Sequence, residues 1–316
     1  MVGKITDNKK VSGSLLAGLM GHSPWTTANE VMTNIIKSRK GEELPTLKGE
    51  QLDWGNILEP SILIETAERL NVMIEGQIDY ALKHKTLPLE CSLDTIARGK
   101  GQVIKHDPSE GIFVLTESGQ ITLNGKGALE SKVTSFKPEN KLPLYRGPIQ
   151  LQAQMMCLNA KWGAVCVLYQ GICLRIFLFE IHEPTVKAIT DAVLDLERRI
   201  ASTPNDWYGI TTPDDACLIY PSVNEAEDPI ELDDDLDVIL KGYLQTKSDI
   251  KKLQENIEQT TSIIQSKLGN YSKGKTNKYS VSWPVKNYKE QPEKVVPAKP
   301  EKSIRQKTIN VKEIRK

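Results

Sequence analysis

The stretch GALESKVTSF, residues 127–136, places Glu130 and Lys132 two positions apart inside an apolar run. Ala128 and Leu129 come directly before the charged pair, and this composition is typical of a buried strand. Residues two apart on a strand point to the same face, so the carboxylate and the ammonium project together. The pair therefore marks either a polar site on a sheet or a solvated strand face.

The triplet by itself is weak evidence, because a chain with 41 acidic and 41 basic residues contains such triplets by chance. Glu139 to Lys141 lies in a polar turn, and Asp249 to Lys251 lies in a helical pattern where positions two apart do not face each other. Only the triplet at Glu130 has a strand-like setting. Its interpretation depends on the rest of the chain.

Composition limits the classes of protein that fit. The chain has 316 residues, 39% hydrophobic and 26% charged, which is typical of a soluble globular protein with one large core and an appendage, or two domains. No apolar run approaches the roughly 20 residues of a membrane span, and the first residues lack the apolar core of a signal peptide. We expect a cytoplasmic protein with no membrane partner.

Cysteine and histidine spacing argues against several chemistries. The five cysteines form no C-x-x-C pair, so the sequence indicates neither a disulfide framework nor a zinc or iron–sulfur site. The four histidines show no metal-ligand spacing, and no phosphate-binding glycine motif is present. The tryptophans Trp25, Trp162 and Trp283 are interpreted as packing residues without a stacking role.

Charge is unevenly distributed although the formal net charge is zero. Residues 271–316 contain 13 Lys and Arg against four Glu, whereas residues 224–237 contain eight acidic residues and no basic one. Such asymmetry indicates a nucleic-acid partner or an interaction tail. A solvating tail without a partner is the alternative.

Hydrophobic periodicity predicts an α/β fold with a mixed sheet flanked by helices. The predicted helices cover residues 12–21 with Ser12 or Ser14 as cap, 27–39 with Thr27 as cap, 49–70 with a kink or break at Pro60, 147–159, 185–200 and 232–268. The predicted strands cover 72–76, 78–82, 89–94, 101–106, 111–117, 119–125 and 127–133 as a meander, a buried hairpin at 163–181 that turns at Gln170 and Gly171, and a short strand near 279–283.

Further polar residues converge on the strand that carries Glu130. Glu59 lies in the third predicted helix and is expected to reach inward beside Trp54 and Ile57. Asp94 closes an apolar strand. Gln150, Gln152 and Gln154 begin a helix, and the first and last of these share a helical face. Taken singly, these residues have ordinary explanations as a surface glutamate, a turn aspartate and a polar helix face.

In chain order the residue types suit phosphodiester hydrolysis. Mg²⁺ prefers hard oxygen ligands and keeps several waters, so two or three carboxylates suffice to hold it. Bound metal lowers the pKa of water and neutralises charge on the reacting phosphate. Lys132 is suited to hold that water and to offset negative charge.

The series VSGSLLAGLMGHSPW, WGNILEP, CSLD, LESK and IQLQAQM resembles the lambda-exonuclease or YqaJ-type viral recombinase family of the PD-(D/E)xK nuclease superfamily. The resemblance covers about residues 10–200. It implies a restriction-endonuclease-like core, a Mg²⁺ cofactor with Mn²⁺ as an alternative, and one or two ions per site. The long helix, the SVSW strand and the basic tail resemble the C-terminal extension of phage members.

The resemblance assigns roles by position. Asp94 and Glu130 are the principal metal ligands with the backbone carbonyl of Ser131, and Glu59 is a further ligand, directly or through a water. Lys132 orients the nucleophilic water, and Gln150 contacts the nucleophile or the scissile phosphate. The catalytic set is Glu59, Asp94, Glu130, Lys132 and Gln150.

A second group is assigned to DNA or 5′-phosphate binding. Ser14 matches the family serine that helps to bind a 5′-phosphate, and the N-terminus of a helix favours anions. Lys9 and Lys10 stand where the family usually carries an arginine. Gln154 completes this group. Residues 99–125 form an insert between Asp94 and Glu130 that is expected to be a hairpin touching DNA or a neighbouring subunit.

These observations predict a Mg²⁺-dependent 5′ to 3′ exonuclease that acts on linear duplex DNA ends. In the family this activity supplies single strand to an annealing protein for recombination, and the enzyme is a ring-shaped homotrimer in the cytoplasm of the bacterial host. The alternatives are an endonuclease or structure-specific nuclease on the same core, and a non-catalytic DNA-binding or assembly module. The predicted organisation is a nuclease core at 1–220, an acidic linker at 221–235 and a C-terminal extension at 236–316.

Overall fold

The computed structural model describes residues 6–45, 49–76, 78–222 and 230–285. Internal contacts divide the chain into two units, Met1–Tyr220 and Pro221–Lys316. No helix within the described ranges has both the length and the apolar character needed to cross a membrane. The predicted basic tail beyond residue 285 and residues 224–229 of the acidic run lie outside the described residues.

The first unit contains six α-helices and nine strands among its described residues. The helices are α1 (Leu16–Leu19), α2 (Ala28–Arg39), α3 (Glu50–Leu70), α4 (Pro148–Leu158), α5 (Glu183–Ala201) and α6 (Pro213–Ile219). The strands are β1 (Val11–Ser12), β2 (Met73–Ile74), β3 (Leu82–Lys83), β4 (Leu89–Cys91), β5 (Thr95–Lys105), β6 (Ile112–Val114), β7 (Gln120–Thr134), β8 (Trp162–Tyr169) and β9 (Cys173–Glu180).

A six-stranded mixed sheet forms the centre of this unit, with the order β2-β5-β7-β8-β9-β6. Strand β7 pairs antiparallel with β5 and parallel with β8, and α4 makes the crossover between β7 and β8. Helix α3 packs on β7 and β8, and a small sheet β1-β4-β3 lies beside the first. This mixed sheet flanked by helices confirms the predicted α/β fold class.

The predicted meander is wrong, because one pair of predicted strands is continuous, the strand predicted at 101–106 begins six residues earlier, and β6 lies at the far edge of the sheet. Residues 95–105 form the single strand β5, and the segments 119–125 and 127–133 join in the fifteen-residue β7. Gly99 and Gly125 pair across the two strands, and a Cβ on Gly99 would lie 2.2 Å from the carbonyl oxygen of Leu123. The glycines that read as strand breaks therefore permit close approach of the two strands.

The predicted insert at 99–125 supplies the outer halves of β5 and β7 and the strand between them. After the 3-10 turn Pro108–Glu110, β6 joins the far edge of the sheet beside β9. Phe113 of β6 stacks on Phe177 of β9 with ring centroids 5.1 Å apart. Part of the insert is therefore core, and its contact with DNA or a neighbouring subunit stays a prediction.

Helix ends follow the predicted local signals with two exceptions. Thr27 caps α2 in a capping box with Glu30, and the hairpin at Gln170 and Gly171 has both turn residues at positive φ, 53° and 73°. The first exception is helix α3, which runs through Pro60 without a break. Proline has no N–H to donate to the carbonyl of Asn56, but both residues are exposed, so water can bind that carbonyl.

The second exception is the predicted helix at 12–21. It is a 3-10 turn, Gly13–Leu15, followed by the four-residue α1, and no serine side chain caps either. Residues Val11–Ser12 before it are drawn into a parallel pairing with β4. Because Val11 and Ser12 are extended in this pairing, they cannot form the first turn of a helix.

The second unit consists of α7 (Leu236–Leu268) and a hairpin of β10 (Lys273–Lys275) with β11 (Ser280–Ser282). The helix was predicted, and it begins four residues later than the prediction; of the hairpin, only the strand β11 was predicted. The apolar stripe of α7 was expected to pack on another element, yet Leu268 is the one buried residue of the helix among those described. Ile250, Leu253 and Ile257 are 62%, 62% and 59% exposed.

Asp215 joins α2 to α6 and provides a test of the fold. Its buried carboxylate accepts hydrogen bonds from Thr27 Oγ1 at 2.5 Å and from Thr211 N and Oγ1 at 2.9 and 2.8 Å. Burial raises the pKa of Asp215, but the hydrogen bonds from Thr27 and Thr211 together lower it by more. The net shift of the pKa is therefore downward. The ionised form is thus the one that stabilises the fold.

Asp215→Asn should lower the free energy of unfolding by about 1–3 kcal/mol at pH 7, because the amide nitrogen leaves donors unpaired. A depressed carboxyl pKa contributes stability above the unfolded value of about 3.9 and loses it as the pH falls through the folded value. Urea unfolding from pH 7 to pH 3 should therefore show the difference shrinking. Asp79→Asn, at an exposed position, is the control; equal stability of Asp215→Asn and the parent at pH 7 would contradict the assignment.

Candidate active site

Strand β7 holds Glu130 and Lys132 in a fixed position, because it is paired on both sides. Glu130 lies opposite Val165 and Lys132 opposite Val167 of β8. Glu130 is 3% exposed, and Lys132 Nζ donates to its Oε1 at 2.5 Å. The alternative of a solvated strand face is thereby excluded for Glu130.

Helix α4 supplies two glutamines to the same carboxylate. Gln150 Nε2 donates to Glu130 Oε1 at 2.7 Å, and Gln154 Nε2 donates to Oε2 at 2.5 Å and to the carbonyl of Ser92 at 2.9 Å. Lys132 Nζ also donates to Gln150 Oε1 at 3.3 Å. The four-residue spacing of Gln150 and Gln154 predicted that they share one face of the helix, and that face lines the site.

Gln152 points elsewhere, as its place in the helical period requires. Its Nε2 donates to the carbonyl of Glu180, and its Oε1 accepts from the backbone of His182. Gln152 therefore ties α4 to the end of β9 and the start of α5. Gln154 is fully buried and its Oε1 has no hydrogen-bond partner, so it positions Glu130 from inside the protein.

Asp94 reaches the site from the neighbouring strand. It lies just before β5 and not at the close of β4, and the pairing of Thr95 with Leu129 places it opposite Glu130. Its Oδ2 accepts from the backbone N–H of Ser131 at 2.6 Å. This bond places the backbone of Ser131 beside the carboxylate of Asp94.

Glu59 approaches from α3, which packs on β7. Burial raises the pKa of the half-buried Glu59, the charge of Glu130 raises it further, and the charge of Lys132 lowers it. Glu59 therefore lies within electrostatic range of both. Trp54 and Ile57 do not line an inward path for it, because they are 51% and 61% exposed on the outer face of α3.

The electrostatics of the site show an excess of negative charge. Burial raises the pKa of Asp94 well above its usual range, and the charges of Glu130 and Glu59 add to this effect. For Lys132, burial lowers the pKa, but Glu130 and Asp94 raise it more, so the side chain is held as an ammonium. Three carboxylates face one ammonium.

This donor set fits a hard divalent cation. Asp94, Glu130 and Glu59 offer only oxygen ligands, and a cation would neutralise the excess charge that raises the pKa values of Asp94 and Glu59. Across the described ranges, no three acidic, histidine or cysteine side chains are grouped as a ready metal site. Both carboxylate oxygens of Glu130 accept hydrogen bonds, from Lys132, Gln150 and Gln154.

The residues expected to bind DNA or a 5′-phosphate lie near this wall. Ser14 is exposed in the 3-10 turn, with its Oγ 3.1 Å from that of Ser12. A Cβ on the neighbouring Gly13 would lie 2.9 Å from Cys91 Sγ and 3.6 Å from Gln150 Cγ, so the turn borders the site. Because α1 is so short, a helix dipole gives Ser14 little support as an anion site.

The two lysines differ in their surroundings. Lys10 Nζ pairs with the buried Glu90 at 2.8 Å, whereas Lys9 is exposed and its carbonyl accepts from Arg39. Sequence reasoning missed Glu90 and the carbonyl of Ser92. No spacing rule would have found either, since both depend on the pairing of β1 with β4 and on the docking of α4.

Comparison with known proteins gives one family match. Residues 6–161 match the family model of the YqaJ-like viral recombinase domain. No curated protein matches the sequence.

Two solved structures are similar to the chain. An alkaline exonuclease from Laribacter hongkongensis has 16% identity over 61% of this chain and 89% of its own, with a TM-score of 0.45. A phage-related exonuclease from Haemophilus somnus 129PT has 11% identity over 60% and 92%, with a TM-score of 0.43. Residues 6–161 of this chain are thus similar to the YqaJ-like viral recombinase domain.

Proposed function

We propose that this protein is a Mg²⁺-dependent exonuclease that degrades linear duplex DNA from its ends in the 5′ to 3′ direction. The observation that carries the proposal is the buried network around Glu130, in which Lys132, Gln150 and Gln154 all donate to one carboxylate. Such a network is costly to bury unless it is satisfied, and it lies beside two further carboxylates. Its residue types are those of a phosphodiester-hydrolysing site.

The residues have distinct roles in this proposal. Asp94, Glu130 and Glu59 would hold the metal, which lowers the pKa of water and neutralises charge on the phosphate when bound. Lys132 acts as a hydrogen-bond donor to the attacking water and the phosphate, because its neighbouring carboxylates keep it protonated. Gln150 orients Lys132 through its Oε1 and is placed to contact the scissile phosphate.

The biological setting follows from the family. The single strand left by such an exonuclease would pass to an annealing protein during phage-type recombination. Subunits would form a homo-oligomeric ring around the DNA, with Ser14, Lys9 and Lys10 near the 5′-phosphate. These partners belong to the proposal; Lys9 is exposed, whereas the ammonium of Lys10 is paired with Glu90.

The test is cleavage of linear duplex DNA with 5′-phosphate or 5′-hydroxyl ends, beside a covalently closed circle. Wild-type protein with Mg²⁺ should degrade the linear DNA, faster with 5′-phosphate, and leave the circle intact. Lys132→Ala should reduce the rate at least about 100-fold, and chelation of divalent ions should stop it. Lys126→Ala, at an exposed lysine of the same strand, should change little.

Other outcomes would assign another function. Cutting of the closed circle would indicate an endonuclease or structure-specific nuclease on this core. Salt-sensitive DNA binding without cleavage in Mg²⁺ or Mn²⁺ would indicate a non-catalytic DNA-binding or assembly module.

Loss of the 5′-phosphate preference in Ser14→Ala, with cleavage retained, would support the end-binding role of Ser14.

A further inference from the structure

Three aromatic rings meet around one arginine next to the candidate active site. Trp25 and Tyr145 contact edge to face, with ring centroids 5.0 Å apart and an interplanar angle of 88°. Arg146 Cζ lies 5.5 Å from the ring centre of Tyr145 and 4.8 Å from that of Phe136. The rings come from two segments: Trp25 from the loop after α1, and Phe136 and Tyr145 from the loop between β7 and α4.

This cluster is not ordinary core packing, because its outer rings remain in water. Trp25 is 68% exposed and Phe136 is 54% exposed, whereas Arg146 between them is buried. Arg146 is fixed by an ion pair with Glu139 and by a hydrogen bond to the hydroxyl of Tyr145. The arginine therefore holds Phe136 and Tyr145, and Trp25 is held through its contact with Tyr145, while Trp25 and Phe136 keep exposed ring surface. Exposed aromatic surface held in this way is available for binding.

The cluster lies close to the catalytic residues along the chain. Phe136 follows Lys132 by four residues, and Gln150 follows Arg146 by four. Four residues span at most about 14 Å, so the Cα atoms of Phe136 and Arg146 lie within that distance of the Cα atoms of Lys132 and Gln150. A stacked DNA strand advances about 3.4 Å per nucleotide, so this distance is on the order of four nucleotides.

Charge on the surrounding loop suits a nucleic-acid strand. Lys137 and Lys141 are exposed in the same loop, and the charge of Glu139 is taken up by Arg146. Two free ammonium groups thus flank exposed rings, the combination by which proteins bind single strands: cations track the phosphates, and aromatic rings stack on the bases.

We propose that Trp25, Tyr145 and Phe136, held by Arg146, form a stacking platform for unpaired bases of the DNA strand beside the active site. The proposal rests on the proposed function in that DNA is the substrate. It gives Trp25 a stacking role, in place of the packing role expected from sequence. Double-stranded DNA has its base faces covered, so the ligand class is single-stranded or frayed DNA.

The test is binding of a labelled single-stranded oligonucleotide to the full chain in the absence of divalent ions, measured by fluorescence anisotropy. The same strand with abasic positions serves as the second probe, because it keeps the phosphates and removes the stacking faces. Wild-type protein should prefer the intact strand. Trp25→Ala and Phe136→Ala should each weaken binding of the intact strand about 5- to 100-fold and leave binding of the abasic strand nearly unchanged.

Controls separate stacking from folding and from exposed apolar area in general. Trp25→Phe should keep most of the preference, because a ring remains, and Leu144→Ala should keep all of it, although Leu144 is 49% exposed in the same loop. Thermal unfolding checks that every variant is folded. Equal binding of intact and abasic strands by the wild type, or an unchanged preference in a folded Trp25→Ala, Phe136→Ala double variant, would overturn the platform.

The binding assay and the cleavage assay together distinguish failure of the stacking platform from failure of the proposed nuclease function. Cleavage of linear duplex DNA without discrimination between intact and abasic strands would overturn the platform and keep the nuclease. Discrimination between the strands without cleavage would support the platform and remove the nuclease assignment.

Discussion

A Glu130→Gln variant is expected to lose hydrolysis of linear duplex DNA by about 1,000-fold while remaining folded. Glu130 is the acceptor that Lys132, Gln150 and Gln154 share, and it is the most buried of the three carboxylates. An amide of the same shape removes the charge that a divalent cation and the ammonium both need. The measurement is the initial rate of nucleotide release from linear duplex DNA in Mg²⁺.

The fold should tolerate the substitution for a specific reason. Gln154 Oε1 is buried without a partner, so rotation of that amide lets it accept from the introduced one. Thermal unfolding should therefore show a cooperative transition, and single-stranded DNA should still bind. Glu117→Gln, at an exposed glutamate, is the matched control and should keep the parental rate. A Glu130→Gln variant that cleaves DNA at that rate would remove Glu130 from the catalytic set.

The alternation of β7 made Glu130 and Lys132 predictable as neighbours on one face. Helical spacing likewise made Gln150 and Gln154 predictable as a pair on one face. Both rules are local and depend only on the period of the secondary structure. The position of Asp94 depends on strand pairing, which the period of a single strand does not reveal. Asp94 faces Glu130 because Thr95 pairs with Leu129.

The surroundings of Glu59 and Ser14 were not predictable from local pattern. Trp54 and Ile57 read as an inward path, but α3 turns them to solvent, because Ile62, Leu63 and Leu70 are buried instead. The residues before Ser14 pair as β1 with β4, and a strand contact from far along the chain overrides the local helical signal. Tertiary contacts decided both cases.

Trp25 shows a third kind of limit. A tryptophan in a polar loop reads as a packing residue, because sequence gives no sign of what will cover it. Its exposure is a property of the folded surface, where Tyr145 contacts it edge to face and 68% of it stays exposed. Burial of a single ring in a loop is set by distant segments.

The carboxylates that the proposed activity requires lower the stability of the metal-free protein. Asp94, Glu130 and Glu59 crowd around one ammonium, and this arrangement destabilises the metal-free chain through repulsion and burial of charge. A structure optimised for stability alone would remove a carboxylate. Active sites commonly keep such strained electrostatics because function requires them.

An Asp94→Asn variant should separate the two effects. Its amide oxygen can still accept from the N–H of Ser131, so the geometry is retained. Without divalent ions, we expect the free energy of unfolding to rise by about 1 kcal/mol, because one charge leaves the crowded site. DNA hydrolysis should fall by about 100- to 1,000-fold, because a principal metal ligand is lost. Urea unfolding in chelator and in Mg²⁺, with the cleavage assay, measures both.

Metal binding gives this prediction a readout that does not depend on catalysis. A ligand that binds only the folded state stabilises it by about 2.7 kcal/mol at 100 times its dissociation constant. Mg²⁺ should therefore stabilise the wild type and an Asp79→Asn control, whose carboxylate lies at an exposed position, but not Asp94→Asn. If Mg²⁺ stabilised all three equally, the cation would bind elsewhere. If Asp94→Asn were less stable than the wild type in chelator, repulsion would not dominate the site, and Asp94 would have a structural role instead.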